Sequence, residues 1–371
     1  MKIQIYMCGE GLGHTSRCLA VGSGLINAGH DVSFHAYGSS KKHIEKNGFK
    51  ATEIPSEIKL VGNTGSLNIE ETIKATVKQM KPIGLPIVLN QIRKGKPDAI
   101  ISDSYFLAVI AAKIRRVPVY LTVNQTNTSK FFENRGVRAE VAGTFMRYFM
   151  DIVFDNVEKV IIPDFPPPWT ISKHNVEELG ELLYYSGPLV REKPEAVKAL
   201  NLKKPHILSL IGGFGYREKL LLDILEVARE NTNLDFTLIA GPNVEPIKLE
   251  GHSDNVEIVG HIPNTFSYLK AADLVIAPGG HSTMMECMTY GVPLISFPDM
   301  NHGEQENNAE QLNVLNVGRR LSYHTPPFMI SDVINDLLKD KEVKRNCRRL
   351  EDYSKKLDGP KRVVELIESR E

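Results

Sequence analysis

The sequence lacks an excess of charge of either sign, because 45 lysines and arginines are matched by 45 aspartates and glutamates. A dedicated nucleic-acid binder usually carries a basic excess, so we expect no nucleic-acid partner. The chain also has no apolar run of the roughly 18 residues that cross a bilayer. Its N-terminus passes directly into a strand and a glycine turn, which is not the pattern of a signal peptide.

Metal-binding patterns are missing as well. The four cysteines (Cys8, Cys18, Cys287 and Cys347) are scattered, without CxxC or Cys/His ligand spacing. No two aspartates are separated by a single residue, so the chain has no Asp-x-Asp metal motif. We therefore predict reduced thiols, a cytoplasmic protein, no metal site and no cofactor.

What the sequence does contain is one opening pattern used twice. Lys2–Met7 predicts a strand, three glycines follow, and Thr15–Ala28 has apolar residues at helical spacing. In the second half, the strand His206–Ile211 is followed by three glycines and the helix Glu218–Glu230. Because strands that alternate with helices form parallel sheets, the pattern predicts an α/β protein with two doubly wound domains.

Domain boundaries are predicted from composition and from the second opening. The proline-rich stretch Pro163–Trp169 and the segment Ser186–Pro194 bracket the junction. The predicted parts are an N-terminal domain at 1–165, a linker at 166–190, a C-terminal domain at 191–350 and a last helical segment at 351–371. Ligands of parallel sheets bind beyond the carboxyl ends of the strands, where both glycine turns fall.

The first glycine turn, Gly9–His14, has the general look of a dinucleotide loop. Its glycine spacing departs from GxGxxG, and the second strand ends in Ala36–Ser39 without the acid that would hold an NAD ribose. An acceptor-side loop containing Gly11 and Gly13 is therefore favoured over an NAD site. His14 either bonds its own turn or removes a proton from an acceptor hydroxyl, and the spacing supports both interpretations equally.

Two other segments end predicted strands of the N-terminal half. Asp103 follows one strand, where it would either orient His14 or cap a helix. Asn124 and Gln125 follow the strand Val119–Val123. Asp103 is therefore a catalytic candidate together with His14, and Asn124 and Gln125 are candidates for the acceptor side of the site.

The strongest motif lies at Asp273–Gln311. The buried strand Leu274–Ala277 runs into a glycine turn and a helix, so the free amides of Gly280–Thr283 would face a diphosphate. Glu286 follows one helical turn later on the same face and can accept hydrogen bonds from both ribose hydroxyls. The residues assigned to this cradle are Gly279, Gly280, His281, Ser282, Thr283 and Glu286.

A second buried strand, Val292–Phe297, leads to the polar segment Asn301–Asn308. There Glu304 and Gln305 can bond sugar hydroxyls, while a solvated helix start is the simpler alternative. In the second glycine loop, Gly213 is a candidate for phosphate contact through its amide.

These motifs resemble the GT-B glycosyltransferases, specifically the MurG lineage and its archaeal relatives. The similarity rests on Gly9–His14 with Arg17, Gly212–Gly215, Gly279–Thr283 with Glu286, Gly291–Pro293, and Glu304–Gln305 with Asn308–Ala309. It implies the GT-B fold, in which two Rossmann-like doubly wound domains face each other across a cleft, and a last helix at Val363–Ile367 that packs on the N-terminal domain.

The same resemblance implies how the site works. A UDP-sugar would be held by the C-terminal domain, with Ile262 contacting uracil through its backbone, Glu286 the ribose, and Glu304 and Gln305 the sugar. His14 would be the base. Pro278 stands where retaining relatives often carry a second acid, which favours inversion. Gln305 is followed by Glu306 rather than by a second glutamine, and only Asn124–Gln125 resembles the MurG acceptor loop, so we expect a different acceptor.

Three functions are compatible with this pattern. The favoured one is a metal-independent inverting glycosyltransferase that moves a hexose or N-acetylhexosamine to a glycan or lipid-linked acceptor. The others are a non-hydrolysing UDP-N-acetylglucosamine 2-epimerase and an inactive nucleotide-sugar binding subunit. A peripheral contact with the inner face of the membrane would involve the apolar segment Pro82–Ile92, although a helix packed on the sheet is favoured there. The aromatic stripe Thr144–Phe154 is expected to face the core.

Overall fold

The structure is a computed structural model that describes residues 1–63, 65–79, 83–128, 132, 137–211, 217–241, 253–260, 262 and 264–369. The chain divides into two compact units. The first unit contains Met1–Leu60, Glu70–Arg191 and Leu357–Glu371, and the second contains Val61–Ile69 and Glu192–Lys356. Residues 166–190, which the sequence suggests as a linker, thus lie within the first unit.

The first unit is built on a seven-stranded sheet in which every pairing is parallel. Its order is β3-β2-β1-β6-β7-β8-β9, so the strands run outward from β1 in both directions. The strands are β1 (Lys2–Met7), β2 (Asp31–Ala36), β3 (Ala51–Glu53), β6 (Ala99–Asp103), β7 (Val119–Thr122), β8 (Lys159–Ile162) and β9 (Leu183–Tyr185).

Helices cover both faces of this sheet, with a separate hydrophobic cluster beneath each layer. Gly22 lets α1 approach β2 closely, since a Cβ at this position would lie 2.4 Å from the Phe34 ring. The last helix packs against α1, and its Val363 and Ile367 are buried in the same cluster. The helices of this unit are α1 (Leu12–Asn27), α2 (Gly38–Lys46), α3 (Ile69–Gln79), α4 (Gly84–Gly95), α5 (Phe106–Arg115), α6 (Val137–Phe154) and α13 (Gly359–Glu368). The first residue of α3, Ile69, is assigned to the second unit.

The second unit repeats the arrangement with a six-stranded parallel sheet of order β12-β11-β10-β13-β14-β15. Its strands are β10 (His206–Leu210), β11 (Asp235–Ile239), β12 (Val256–Val259), β13 (Leu274–Ala277), β14 (Leu294–Ser296) and β15 (Gly318–Arg320). Its helices are α7 (Glu218–Glu230), α8 (Phe266–Ala271), α9 (His281–Thr289), α10 (Gly303–Val314), α11 (Pro327–Lys339) and α12 (Lys341–Leu357). Both sheets therefore have the doubly wound order predicted from the sequence.

One short segment departs from this regular alternation. Val61–Ile69 is flanked on both sides by residues of the first unit, but it belongs to the second unit. It forms a small antiparallel hairpin from β4 (Gly62–Asn63) and β5 (Ser66–Leu67). We refer to Val61–Ile69 as the inserted hairpin.

Helix α6 corrects one expectation from the sequence. Met150, Val153 and Phe154 are buried as expected, but the exposed side of the helix carries apolar residues as well as polar ones. Its exposed apolar residues are Val141, Phe145, Tyr148 and Ile152, spaced three or four positions apart so that they form one stripe. Across the described ranges, no helix combines the length and hydrophobicity needed to cross a membrane.

Candidate functional site

The predicted acceptor-side residues lie at the switch point of the first sheet. Strand β1 pairs with β2 on one side and with β6 on the other, so the chain reverses its order of winding there. Such switch points leave a crevice at the carboxyl ends of the strands, where ligands of doubly wound sheets bind. Helix α1 begins beyond the end of β1 and presents His14 from its first turn, and β6 ends at Asp103.

The structure brings His14, Asp103 and Arg17 together. His14 Nδ1 lies 2.7 Å from Asp103 Oδ1, and Arg17 places its guanidinium against both carboxylate oxygens, each at 2.5 Å. Arg17 Nη2 is also 2.9 Å from His14 Nδ1. Asp103 and Arg17 are buried, while the His14 side chain keeps 23% of its surface exposed and can therefore meet a substrate.

The charge on Asp103 is fixed by these neighbours. Burial alone would raise the pKa of this carboxyl, but the Arg17 guanidinium, together with His14, holds it well below its usual range. An ionised Asp103 can only accept hydrogen bonds, and Arg17 can only donate them. His14 Nδ1 can either donate its proton to Asp103 or accept one from Arg17 Nη2, but not both. In the tautomer that donates to Asp103, the lone pair of Nε2 is available for a substrate proton.

Of the other acceptor-side candidates, Asn124 contacts the group formed by His14, Arg17 and Asp103, whereas Gln125 bonds a different residue. Asn124 follows β7, and its Oδ1 is 3.5 Å from Arg17 Nη1. Gln125 instead donates a hydrogen bond to Asn127, at 3.3 Å. Gly11 precedes α1 with a φ of 86°, a left-handed conformation that favours glycine, and Gly13 lies within the first turn of the helix.

The donor candidates surround the corresponding switch point of the second sheet, where β10 lies between β11 and β13. Strand β13 ends at Ala277, two glycines follow, and α9 begins at His281 with Gly280 as its N-cap. The first amides of a helix have no partner within the helix, so the start of α9 is where the predicted anion cradle would lie. A Cβ at Gly280 would meet no atom within 4 Å, so the backbone there is open to close approach by a ligand.

The sugar candidates lie directly against this cradle. At Gly279 a Cβ would lie 2.6 Å from the Cβ of Gln305, so only glycine allows α10 to come this close. Asn308 Nδ2 lies 3.4 Å from the carbonyl oxygen of Gly279 and 2.9 Å from Glu304 Oε1. The structure thus joins the glycine turn and the first turn of α10 in one surface.

Asp299 connects the residues of this surface through hydrogen bonds, and it was not predicted from the sequence. Its buried carboxylate accepts hydrogen bonds from Arg217 Nε at 2.8 Å, from the Tyr323 hydroxyl at 3.1 Å and from Gln305 Nε2 at 3.2 Å. The Asp299 amide donates to Gln305 Oε1 at 3.0 Å, so both the oxygen and the nitrogen of the Gln305 side-chain amide are bonded to Asp299. The sequence signal was an acid just beyond a buried strand and an arginine just beyond a glycine loop.

The remaining donor candidates are placed individually. His281 is buried, whereas Ser282, Thr283 and Glu286 are half-buried on α9. Ile262 is half-buried in the connection after β12, and Gly213 lies outside the described residues. Arg217, at the far end of that glycine loop, also donates to the carbonyl of Ile211 at 3.0 Å. Within the residues described, no three His, Cys, Asp or Glu side chains are grouped so that they could hold a metal ion.

Comparison with known proteins defines the class of this molecule. The model of the glycosyltransferase family 28 C-terminal domain matches residues 208–362, and a glycosyl transferase family 1 model matches residues 1–175. Two uncharacterized glycosyltransferases, from Methanosarcina mazei and Methanosarcina acetivorans, are 49% and 48% identical over 371 residues, which span 99% of this chain and 98% of each relative. The chain therefore belongs to the glycosyltransferases.

More distant relatives include the MurG enzymes. The UDP-N-acetylglucosamine–N-acetylmuramyl-(pentapeptide) pyrophosphoryl-undecaprenol N-acetylglucosamine transferase of Sulfurihydrogenibium is 22% identical over 289 residues, covering 76% of this chain and 75% of that protein. The structure of Acinetobacter baumannii MurG has a TM-score of 0.65 at 16% identity and covers 99% of both chains. The resemblance to the MurG lineage predicted from the sequence is confirmed.

Other solved structures show the same fold. The glycosyltransferase of kitacinnamycin has a TM-score of 0.76 at 18% identity, covering 99% of this chain and 98% of its own. The spinosyn rhamnosyltransferase SpnG, solved with thymidine diphosphate, has a TM-score of 0.69 at 16% identity, covering 99% of this chain and 100% of its own. With these neighbours, the predicted GT-B fold is confirmed.

Proposed function

We propose that this glycosyltransferase moves a hexose or N-acetylhexosamine from a UDP-sugar to an acceptor hydroxyl with inversion at the anomeric carbon and without a metal ion. The observation that carries the mechanism is the 2.7 Å contact between His14 Nδ1 and the ionised Asp103. It supplies an oriented imidazole at the mouth of a switch-point crevice, which is what a general base for a hydroxyl needs.

We assign binding of the UDP-sugar donor to the second unit. The amides at the start of α9 would bind the diphosphate, and their partial positive charge would offset the charge that develops on the leaving UDP. Glu286 would accept hydrogen bonds from the ribose, and the backbone of Ile262 would contact the uracil. A nucleoside diphosphate bound to SpnG supports a ligand of this class. Glu304 and Gln305, which border the cradle, would face the sugar.

In the proposed reaction, His14 Nε2 takes the proton of the acceptor hydroxyl as its oxygen attacks the anomeric carbon. The bond from that carbon to the UDP oxygen breaks, and the electron pair leaves with UDP. Asp103 stabilises the imidazolium that forms, because its carboxylate stays ionised beside the new charge. A single displacement of this kind inverts the anomeric configuration.

The acceptor is proposed to be a glycan or a lipid-linked glycan at the inner face of the membrane. Support comes from the resemblance to MurG and from the exposed apolar stripe of α6. This stripe belongs to the unit that carries His14. Flotation with lipid vesicles tests the membrane contact, and loss of flotation in Phe145→Ser/Tyr148→Ser would assign it to α6.

The experiment that tests the function uses UDP-N-acetylglucosamine, UDP-glucose and UDP-galactose, each with a panel of hydroxyl acceptors. NMR of the products would show a sugar transferred or hydrolysed with inverted anomeric configuration, together with UDP. Retention of configuration would contradict the proposed displacement. Appearance of the 2-epimer with UDP, and no transferred sugar, would identify an epimerase instead.

A further inference from the structure

The inserted hairpin has no role in the function proposed above, yet it is joined to the donor surface. The chain enters the second unit at Val61 and leaves it after Ile69, between two stretches that belong to the first unit. Within the hairpin the Asn68 amide donates to the Val61 carbonyl at 2.8 Å, which joins the two ends of the segment.

The hairpin is held at Met300 by backbone hydrogen bonds. The Met300 amide donates to the Gly65 carbonyl at 2.8 Å, and the Leu67 amide donates to the Met300 carbonyl at 2.9 Å, which makes Ser66 and Met300 a parallel bridge. Ser66 Oγ adds a contact to Asn301 Nδ2 at 2.9 Å. Leu67 is buried, so the attachment has an apolar component as well.

A second contact links the hairpin to Asp299 through Tyr323. A Cβ at Gly65 would lie 2.6 Å from the ring of Tyr323, so the hairpin backbone packs directly on that ring. The Tyr323 hydroxyl donates to Asp299 at 3.1 Å. Asp299 in turn holds both ends of the Gln305 amide. The chain of contacts therefore runs from Gly65 through Tyr323 and Asp299 to Gln305.

We propose that the inserted hairpin is a positioning element for the donor sugar. It fixes the loop 299–302 and, through Asp299, sets the orientation of Gln305 beside the Gly279 turn. This inference rests on the proposed function, because it takes the first turn of α10 as the sugar site. The hairpin would act on the sugar and not on UDP, because its hydrogen-bonded contacts end at the side-chain amide of Gln305, whereas UDP is assigned to the amides at the start of α9 and to Glu286.

The test compares the affinity for UDP with the affinity for UDP-sugars by calorimetry, which needs no acceptor. In Gly65→Ala the new methyl group meets the Tyr323 ring, while Gly48→Ala is the matched control. Gly48 has a similar φ, +84° against +72°, but a Cβ there would meet no atom within 4 Å.

Ser66→Ala removes a hydroxyl that donates to the Met300 carbonyl at 3.3 Å and accepts from Asn301 Nδ2 at 2.9 Å. Tyr323→Phe removes the hydroxyl that donates to Asp299. Both variants should leave the fold intact.

We expect Gly65→Ala to bind its best UDP-sugar about five-fold or more weakly, in the range of a lost hydrogen bond, with UDP affinity unchanged. Tyr323→Phe should show the same selective loss of UDP-sugar affinity. In both variants, the differences in affinity between UDP-N-acetylglucosamine, UDP-glucose and UDP-galactose should become smaller. Gly48→Ala should match the wild type. Equal UDP-sugar affinity in folded Gly65→Ala, Ser66→Ala and Tyr323→Phe would overturn the inference.

Binding to the wild-type protein distinguishes failure of the positioning role from failure of the proposed donor. If it binds UDP but gains no affinity from any sugar, the positioning role is overturned while the UDP site stands. If it binds no UDP at all, the proposed donor fails, and the inference that depends on it fails too.

Discussion

Asp103 Oδ1 lies 2.7 Å from His14 Nδ1, although the two residues are separated by 89 positions in the chain. The contact follows from topology, because β1 and β6 are neighbours in the sheet and both end at the same edge. Arg17 lies one helical turn after His14 and bonds the same carboxylate. The three side chains therefore form one coupled group, and each can be tested separately.

We expect His14→Ala to lower the rate of sugar transfer by about 10²–10⁴-fold, the usual contribution of a general base. UDP affinity should be unchanged, because the nucleotide is assigned to the second unit. Single-turnover rates with an acceptor identified from the panel are the appropriate measurement, since slow product release would hide part of the loss.

His30→Ala is the control for the loss of an imidazole in the first unit, because His30 pairs with Glu368 at 2.9 Å. Near-normal single-turnover transfer by His14→Ala would remove the residue from the role of base.

Arg17 is expected to be a large contributor to stability. Arg17→Ala leaves the buried Asp103 charge without its main partner, which typically costs about 3–5 kcal/mol. Urea unfolding followed by circular dichroism measures the change. The double variant Arg17→Met/Asp103→Leu should recover much of the loss, because it removes both charges together. If Arg17→Ala is as stable as the wild type, the buried charge of Asp103 does not need Arg17 for its stabilisation.

Much of the regular structure could be predicted from local pattern. The strands Lys2–Met7 and Leu274–Ala277 and the helix Glu218–Glu230 have the predicted bounds, because apolar periodicity and glycine turns mark them clearly. The first helix, predicted at Thr15–Ala28, begins at Leu12 and ends at Asn27. Helix starts shift in this way because they depend on cap geometry more than on periodicity.

The candidate site could be predicted only where a motif carries it. The glycine turns and Glu286 stand in recognisable patterns, whereas the Asp299 network joins residues from β10–α7, β14–α10 and the segment after β15. The inserted hairpin has two strands of two residues each, too short for any alternation to be visible. Its place is set by bonds to Met300, which no local pattern encodes.

Glu286→Ala is expected to weaken UDP binding by about 1–3 kcal/mol, the range for losing a charge-assisted hydrogen bond. Thermal stability should change little, because the half-buried carboxylate would serve the ligand more than the core. Glu310→Ala, on the neighbouring α10 and half-exposed, is the control. Unaltered UDP affinity in the folded variant would argue against the ribose role.

UDP binding is also expected to survive metal removal. The helix amides of α9 are proposed to stabilise the diphosphate charge that other enzymes neutralise with a cation. Calorimetry with and without EDTA should give dissociation constants that agree within about two-fold, a difference of less than roughly 0.5 kcal/mol. Restoration of lost affinity by Mg²⁺ or Mn²⁺ would show that the proposal of a metal-independent donor site is wrong.

The Glu57 carboxylate accepts hydrogen bonds from the amides of Phe106, at 2.8 Å, and Leu107 at the start of α5. Burial raises the pKa of Glu57 from 4.5 to about 7, although these two amides partly oppose the shift. A raised pKa means that the folded state holds the proton more tightly than the unfolded state. The stabilisation is therefore complete below about pH 4.5 and is lost as the pH rises through 7.

We expect the unfolding free energy of the wild type to fall by about 1–3 kcal/mol between pH 5 and pH 7.5 relative to Glu57→Gln, which keeps an acceptor oxygen but cannot ionise. Urea unfolding at several pH values measures the difference. Glu10→Gln is the matched control, because Glu10 accepts the Leu60 amide at 3.3 Å in the same unit. If the wild type and Glu57→Gln show parallel pH profiles, Glu57 does not titrate in this window and the α5 cap is ionised throughout.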